Sequence, residues 1–333
     1  MKVLFLGGTQ FVGLHMVEAA LAHGHQVTLF DRGQTKPNLF PQAEKLRGDR
    51  DGGLDALKGR TWDAVIDVNA YVPRLVGDTG RLLKGSVGQY IFVSTGSVYD
   101  FMQMKPYADE SSPLLKLEDE TTEDWNGPNY GGLKVLCENV VMDLYPQNHM
   151  ITRLGVVAGP YDVTDRVTYW VTRAARGGKM LAPGAPNLRM QFIDARDLAN
   201  FTIQGMEKHL NGIFNTIGNS ITWQHFFDVC RDAFQVQPEL VWINDMQFLS
   251  ENVDMGSREF GAIPMAVPAE FSDIMTIRSD KALENGMVFR STLNTVRDVL
   301  AWDKTRPADE PRIAGLTPEQ ESHLLEKWQE KAA

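Results

Sequence analysis

Residues 2–13 read Lys-Val-Leu-Phe-Leu-Gly-Gly-Thr-Gln-Phe-Val-Gly, an apolar run that passes straight into closely spaced glycines. Val3 to Leu6 form a nearly continuous apolar segment, which suits a parallel strand buried on both faces better than a half-exposed one. Gly7, Gly8 and Gly13 punctuate a turn into a helical pattern carried by Phe11, Leu14, Val17 and Leu21. In a unit of this kind one glycine makes the tight turn and another lets helix and strand approach closely. The helix N-terminus then offers amide N–H groups and a partial positive charge to a pyrophosphate. The candidate cofactor-binding residues of this turn are Gly7, Thr9, Gln10, Phe11, Val12 and Gly13. Gln10 stands where the usual G-x-x-G-x-x-G spacing has its middle glycine, and the competing reading is a glycine-rich turn that binds nothing.

The same alternation continues. Gln26 to Phe30 is a second strand, and Asp31 ends it, where an acidic residue accepts hydrogen bonds from the adenosine ribose. Arg32 follows and would pair with a 2′-phosphate, so the sequence leaves NAD and NADP both open, with Asp31 favouring NAD. Gly48-Asp49-Arg50-Asp51-Gly52 reads as a polar turn, Leu54 to Lys58 as a short helix, and Ala64 to Val68 as a third strand. Right-handed crossovers would lay these strands in one parallel sheet. A helix from Arg74 to Leu83 leads to another buried run, Tyr90 to Val93, which ends in Ser94-Thr95-Gly96-Ser97. Hydroxyls at the carboxyl end of such a strand stand where doubly wound sheets bind ligands, although they also satisfy turns.

Residues 100–129 are rich in Pro, Asp and Glu and read as a long loop over the substrate. Tyr130 and Lys134 then fall at i and i+4 at a helix start, on one face. An ammonium beside a phenol favours the phenolate, and such a tyrosine can exchange a proton with a substrate hydroxyl while hydride moves to or from a nicotinamide. Ile151 to Val157 is a further strand. Beyond Gly159-Pro160 the pattern changes to a mixed α+β composition, with a helix from Thr168 to Arg176, a strand from Gly212 to Ile217, and a helix capped by Thr222.

The fold expected is α/β, a Rossmann-type doubly wound parallel sheet with a smaller α+β C-terminal lobe. Residues 1–160, with 190–232 returning to them, would form the NAD(P)-binding domain. Residues 161–189 and 233–333 would form a substrate-binding lobe whose cleft with the sheet takes a small molecule. At 333 residues and 43% hydrophobic content the chain can hold a substantial core. It has no apolar run of ~18 residues and no signal-peptide pattern, so a soluble cytoplasmic protein without membrane partners is expected. Cys137 and Cys230 fit neither a disulfide framework nor a metal spacing, and no metal is expected. A net charge of −10 opposes nucleic acid as a partner.

With these stretches together, the chain resembles the extended short-chain dehydrogenase/reductases of the NAD-dependent epimerase/dehydratase superfamily. The resemblance rests on GGTQFVG at Gly7–Gly13, Asp31, STGSVY at Ser94–Tyr99, YGGLK at Tyr130–Lys134, RLGVVAGP at Arg153–Pro160 and QFIDARDLA at Gln191–Ala199. It implies Tyr130 as catalytic acid/base and Lys134 as the group that lowers its pKa and binds the nicotinamide ribose. It also implies Thr95 as the hydroxyl on the substrate oxygen, and Asp49 near the adenine. Members of the family often dimerise, which leaves a homodimer open. The function implied is an NAD(P)-dependent oxidoreductase or epimerase acting at a carbinol or carbonyl carbon of a small, sugar-like substrate. The chain departs from the dehydratases in having Gly96 and Ser97 where they carry carboxylates. It departs from nucleotide-sugar epimerases in having Met190 where they carry an arginine, with Arg189 one residue off. Gln10 is similar to a divergent branch that includes chloroplast stem-loop RNA-binding proteins. The alternative function is accordingly a non-catalytic dinucleotide-fold binder, an RNA-binding protein or a redox sensor.

Overall fold

β1 (Lys2–Leu6) is buried from Val3 onward and pairs in parallel register with a neighbour on each side, as its unbroken apolar run requires. In the computed structural model, which describes residues 1–307 and 309–332, it is the fifth strand of a seven-stranded sheet. The others are β2 (Gln26–Asp31), β3 (Glu44–Arg47), β4 (Trp62–Asp67), β5 (Val87–Thr95), β6 (His149–Leu154) and a late strand, Gly212–Thr216. The order is Gly212–Thr216, β6, β5, β4, β1, β2, β3, and every pairing is parallel. The chain leaves β1 towards β2 and comes back on the other side through β4. The strand order therefore reverses beside β1, which opens a crevice above the carboxyl ends where ligands of doubly wound sheets sit. Helices α1 (Phe11–Ala22), α2 (Pro73–Leu83) and α3 (Asn129–Leu144) connect the strands, and the helix Ala195–Glu207 packs on α1.

The chain divides into two compact units. The first comprises Met1–Gly155, Ala195–Ile217 and Arg278–Val288, and holds the sheet. The second comprises Val156–Asp194, Gly218–Ile277 and Phe289–Ala333. Its strand pairs are short, Lys179–Pro183 with Glu239–Ile243 in parallel and Arg189–Gln191 with Ser220–Thr222 antiparallel. They surround an aromatic core in which Trp170 meets Trp223 edge to face at 5.1 Å and Trp223 stacks on Phe227 at 5.8 Å.

Three local expectations are revised. The polar turn at Gly48 is preceded by a strand, β3, which the pattern hid because it is an edge strand with only Leu46 buried. The short helix expected over Leu54 to Lys58 is confined to a single 3₁₀ turn, Asp55–Leu57. The run from Ile151 to Val157 breaks after Leu154, and Val157–Ala158 pairs instead with Ile193–Asp194.

Candidate active site

The glycine turn closes by backbone geometry. Gly7 and Gly8 adopt φ of 95° and 104°, in the left-handed region that glycine enters without a Cβ penalty. A Cβ on Gly13 would lie 2.8 Å from the Gly8 Cα, so this glycine is what allows α1 to pass so near the turn. Gln10 sits at the N-cap with φ −131° and ψ 145°, extended backbone open to any residue, and its side chain is exposed and caps nothing. Absence of a glycine at this position thus costs no backbone strain. The strained residue is Phe11, with φ 31° in the first turn of the helix. With no side chain capping α1, its first-turn amides keep the orphan donors that suit an anion.

At the end of β2, Asp31 Oδ1 accepts a hydrogen bond from the Gly33 amide at 2.6 Å and pairs with Arg47. Asp31 Oδ2 is buried and has no hydrogen-bond partner among the described residues, and a carboxylate oxygen there suits a ribose hydroxyl as donor. Arg32 is exposed. Asp49, also exposed, follows β3 and accepts from the Asp51 amide at 3.0 Å. Together the uncapped helix, the close glycines and the unpartnered carboxylate oxygen fit the pyrophosphate and adenosine ribose of NAD.

Lys134 is the most constrained residue of the site. Its Nζ donates to the Ala70 carbonyl at 2.9 Å and the Val93 carbonyl at 2.7 Å, bridging the segment after β4 to β5. It lies 4.1 Å from the Phe92 ring centroid and 5.7 Å from that of Tyr71. Complete burial brings its pKa down to about 8, with Asp67 and Glu138 acting in the opposite sense. Tyr130 is half-buried one turn earlier on α3, its ring 6.1 Å from Tyr71, which in turn stacks on Trp125 at 4.9 Å. The two glycines of YGGLK explain how α3 reaches this place. A Cβ on Gly131 would lie 2.1 Å from the Ser97 carbonyl oxygen, and one on Gly132 would lie 2.5 Å from Leu117. Only glycine lets the helix start rest on the turn that follows β5. Thr95 is buried at that strand end, where its Oγ1 accepts from the Ser97 amide at 3.1 Å and donates to Ser97 Oγ at 3.2 Å.

Under these residues runs a buried polar network with no counterpart in the sequence reading. Glu138, one turn beyond Lys134, accepts from Ser94 Oγ and forms a multidentate pair with Arg153, whose Nη2 lies 2.7 Å from Glu138 Oε2. Arg153 Nη1 donates to Tyr99 Oη at 3.0 Å, and Tyr99 donates to Asn215 Oδ1 at 2.7 Å. A second pair, Arg50 with Asp67, makes two hydrogen bonds of 2.7 Å, and Tyr90 Oη adds a third to Asp67 at 2.7 Å. Burial would raise the Asp67 carboxyl, but the Arg50 guanidinium outweighs it and holds the group below the usual carboxylate range. The signal for Glu138 was present in the sequence, as a carboxylate recurring four residues after Lys134 in an otherwise apolar helical stripe.

A seven-stranded parallel sheet with a glycine turn after β1, a Ser/Thr end on β5 and the Tyr-x-x-x-Lys start of α3 carries the resemblance to the extended short-chain dehydrogenase/reductases. Residues 58–217 match the model of the NAD dependent epimerase/dehydratase family. The chain is 25% identical over 273 residues to the chloroplast stem-loop binding protein of 41 kDa b of Arabidopsis thaliana, covering 74% of this chain and 67% of that protein. Among solved structures, it matches the UDP-N-acetylglucosamine 4-epimerase of Bacillus cereus with TM-score 0.66 and 16% identity, covering 94% of this chain and 99% of the other. The dTDP-glucose 4,6-dehydratase of Bacillus anthracis, in complex with NAD, matches with TM-score 0.66 and 16% identity, covering 97% and 99%. At such identities these structures attest the fold. Among the described residues no helix is long and apolar enough to cross a membrane.

Proposed function

We propose that the chain is an NAD-dependent epimerase or reductase that oxidises or reduces a carbinol carbon of a sugar-like small molecule. Tyr130 would act as acid/base, Lys134 as the cation that favours its phenolate, and Thr95 as the hydroxyl on the substrate oxygen. Bound NAD would supply the hydride acceptor. Tyr130 takes the hydroxyl proton as the carbinol is oxidised and returns it on reduction. The observation that carries the reading is Lys134, an ammonium held fully buried by two carbonyls one turn from a half-buried tyrosine. A lone structural lysine has little reason to sit at the carboxyl ends of β4 and β5, in the crevice where the strand order turns.

The substrate reading follows from the residues around QFIDARDLA and after Thr95. Met190 is fully buried, and Arg189, its neighbour on a strand, is exposed on the other face with only a 3.5 Å approach to the Ser220 carbonyl. No arginine therefore occupies the position that would clamp a diphosphate, which favours a substrate without one. Gly96 and Ser97 offer no carboxylate for elimination of water, which favours epimerisation or net redox over dehydration. Residues Val156–Asp194, Gly218–Ile277 and Phe289–Ala333 are proposed as the substrate-selecting unit.

Two measurements test this. NAD or NADH should raise the melting temperature while NADP and NADPH leave it unchanged, since Asp31 Oδ2 calls for a ribose hydroxyl and Arg32 is exposed. Tyr130→Phe should keep that cofactor response and lose turnover by roughly 10²–10⁴-fold. A turnover equal to that of the unsubstituted protein refutes the assignment. The name of the Arabidopsis relative motivates the second reading, a stem-loop RNA ligand. Tight binding whose logarithm falls linearly with log salt would support it against the net charge of −10.

A further inference from the structure

At the opposite end of β2 from Asp31, the turn that follows α1 carries His23 and His25 on either side of Gly24. Gly24 takes φ 77° and reverses the chain there. The helix Ala195–Glu207, packed on α1 in the same unit, ends on Glu207. Glu207 Oε1 is 3.0 Å from His23 Nδ1 and 3.0 Å from His25 Nε2. One donor atom from each of the three residues lies within 4.8 Å of the others. The His25 side chain is only 7% exposed, and its Nε2 is a buried nitrogen without a properly directed hydrogen bond despite its nearness to the carboxylate. Its other nitrogen, Nδ1, lies 3.3 Å from the Met1 amine. A buried ring nitrogen without a hydrogen bond, aimed at a carboxylate that a second imidazole also approaches, is poorly explained as an ion pair alone.

We propose that His23, His25 and Glu207 bind a divalent transition-metal ion, zinc being the expected occupant. Imidazole nitrogen and carboxylate oxygen are suitable zinc donors at about 2.0–2.2 Å, and a tetrahedral set at that distance has its donors about 3.3–3.5 Å apart. The observed donor set already brackets that spacing, and His23 and Glu207, each about one-third exposed, have the freedom to close on an ion. Three protein donors leave a fourth position for water. The six residues of β2 separate the site from the cofactor crevice by about 20 Å, so its role is to tie the α1–β2 turn to the end of the returning helix.

The test uses the full chain after chelator treatment, titrated with zinc chloride against a chromophoric competitor. The expected result is one tight zinc per chain, with His23→Gln and Glu207→Gln each weakening it at least about tenfold, the least that a change even to a ligand's supporting partner costs. Circular dichroism and NAD affinity should be unchanged in both variants, which shows that they fold. Cobalt loading should give visible absorption bands that Glu207→Gln abolishes. Equal zinc affinity in either folded variant and the unsubstituted chain, or no one-to-one site in the unsubstituted chain, overturns the proposal.

Discussion

Replacing Lys134 with methionine separates the cost of burying a charge from its use. Burial lowers the Lys134 pKa from 10.5 to about 8. The unfolded chain therefore holds one proton more than the folded chain between those values. The burial cost is present in full below pH 8 and is relieved as the pH rises towards 10.5. Stability gains about 1.4 kcal/mol per pH unit across this window, roughly 3–3.5 kcal/mol in all. Methionine removes the titration, so the unfolding free energy with Lys134 in place minus that with Lys134→Met should rise by roughly 3–3.5 kcal/mol over the window. The subtraction is needed because burial pushes the Tyr145 phenol up, and raised values of that kind lower stability as pH rises; both proteins carry Cys137→Ala, because that thiol, itself pushed up by burial, is coupled to Lys134 and would not cancel. At pH 7 the substitution strips the Ala70 and Val93 carbonyls of a donor, at about 1–3 kcal/mol each, while releasing the burial cost, so the two effects largely offset. Urea titrations at intervals between pH 7 and about 10 measure the difference curve directly. A flat curve refutes the claim that Lys134 is a desolvated cation in the folded chain.

Glu138→Ala should cost about 3–5 kcal/mol by leaving Arg153 buried and unpaired, whereas Glu138→Leu with Arg153→Met should recover much of that loss; chemical denaturation distinguishes the two. Gly131→Ala should displace the start of α3 from the Ser97 carbonyl, lowering both NAD-dependent turnover and the melting temperature, and an unaltered protein would show that the close approach is not required.

How far the sequence reaches can be judged from single positions. The sheet was legible because β1, β2, β4 and β5 are buried on both faces and their apolar runs are unbroken, which fixes parallel pairing almost without competition. β3 escaped because an edge strand is exposed on its outer side, so Glu44, Lys45 and Arg47 look like part of a loop. In the site, spacing alone placed Tyr130 and Lys134 on one face of α3, since i and i+4 are neighbours on any helix. It could not reveal that Lys134 is tied to two carbonyls, 41 and 64 residues away in the chain, because such ties depend on which strands become adjacent. At Gln10 the structure adds what spacing cannot give. The residue departs from the glycine pattern, the backbone there is extended, and the positive φ values of the turn fall on Gly7, Gly8 and Phe11.

Tyr130, Lys134 and Glu138 form one stripe on α3, increasingly buried from its start inward. The helix start rests on the turn after β5 through Gly131 and the Ser97 carbonyl, Lys134 binds the Val93 carbonyl, and Glu138 accepts from Ser94 Oγ. Three points along the helix are thus fixed to the carboxyl end of β5 and the turn that follows it, beside Thr95. A helix held at one point could rotate about its axis and carry the Tyr130 ring away from Tyr71, while a helix held at three has no such freedom. Buried ion pairs of this kind add little stability over well-packed apolar residues. Their presence beneath the site is best explained by orientation: Glu138 and Arg153 hold α3 in register with β5.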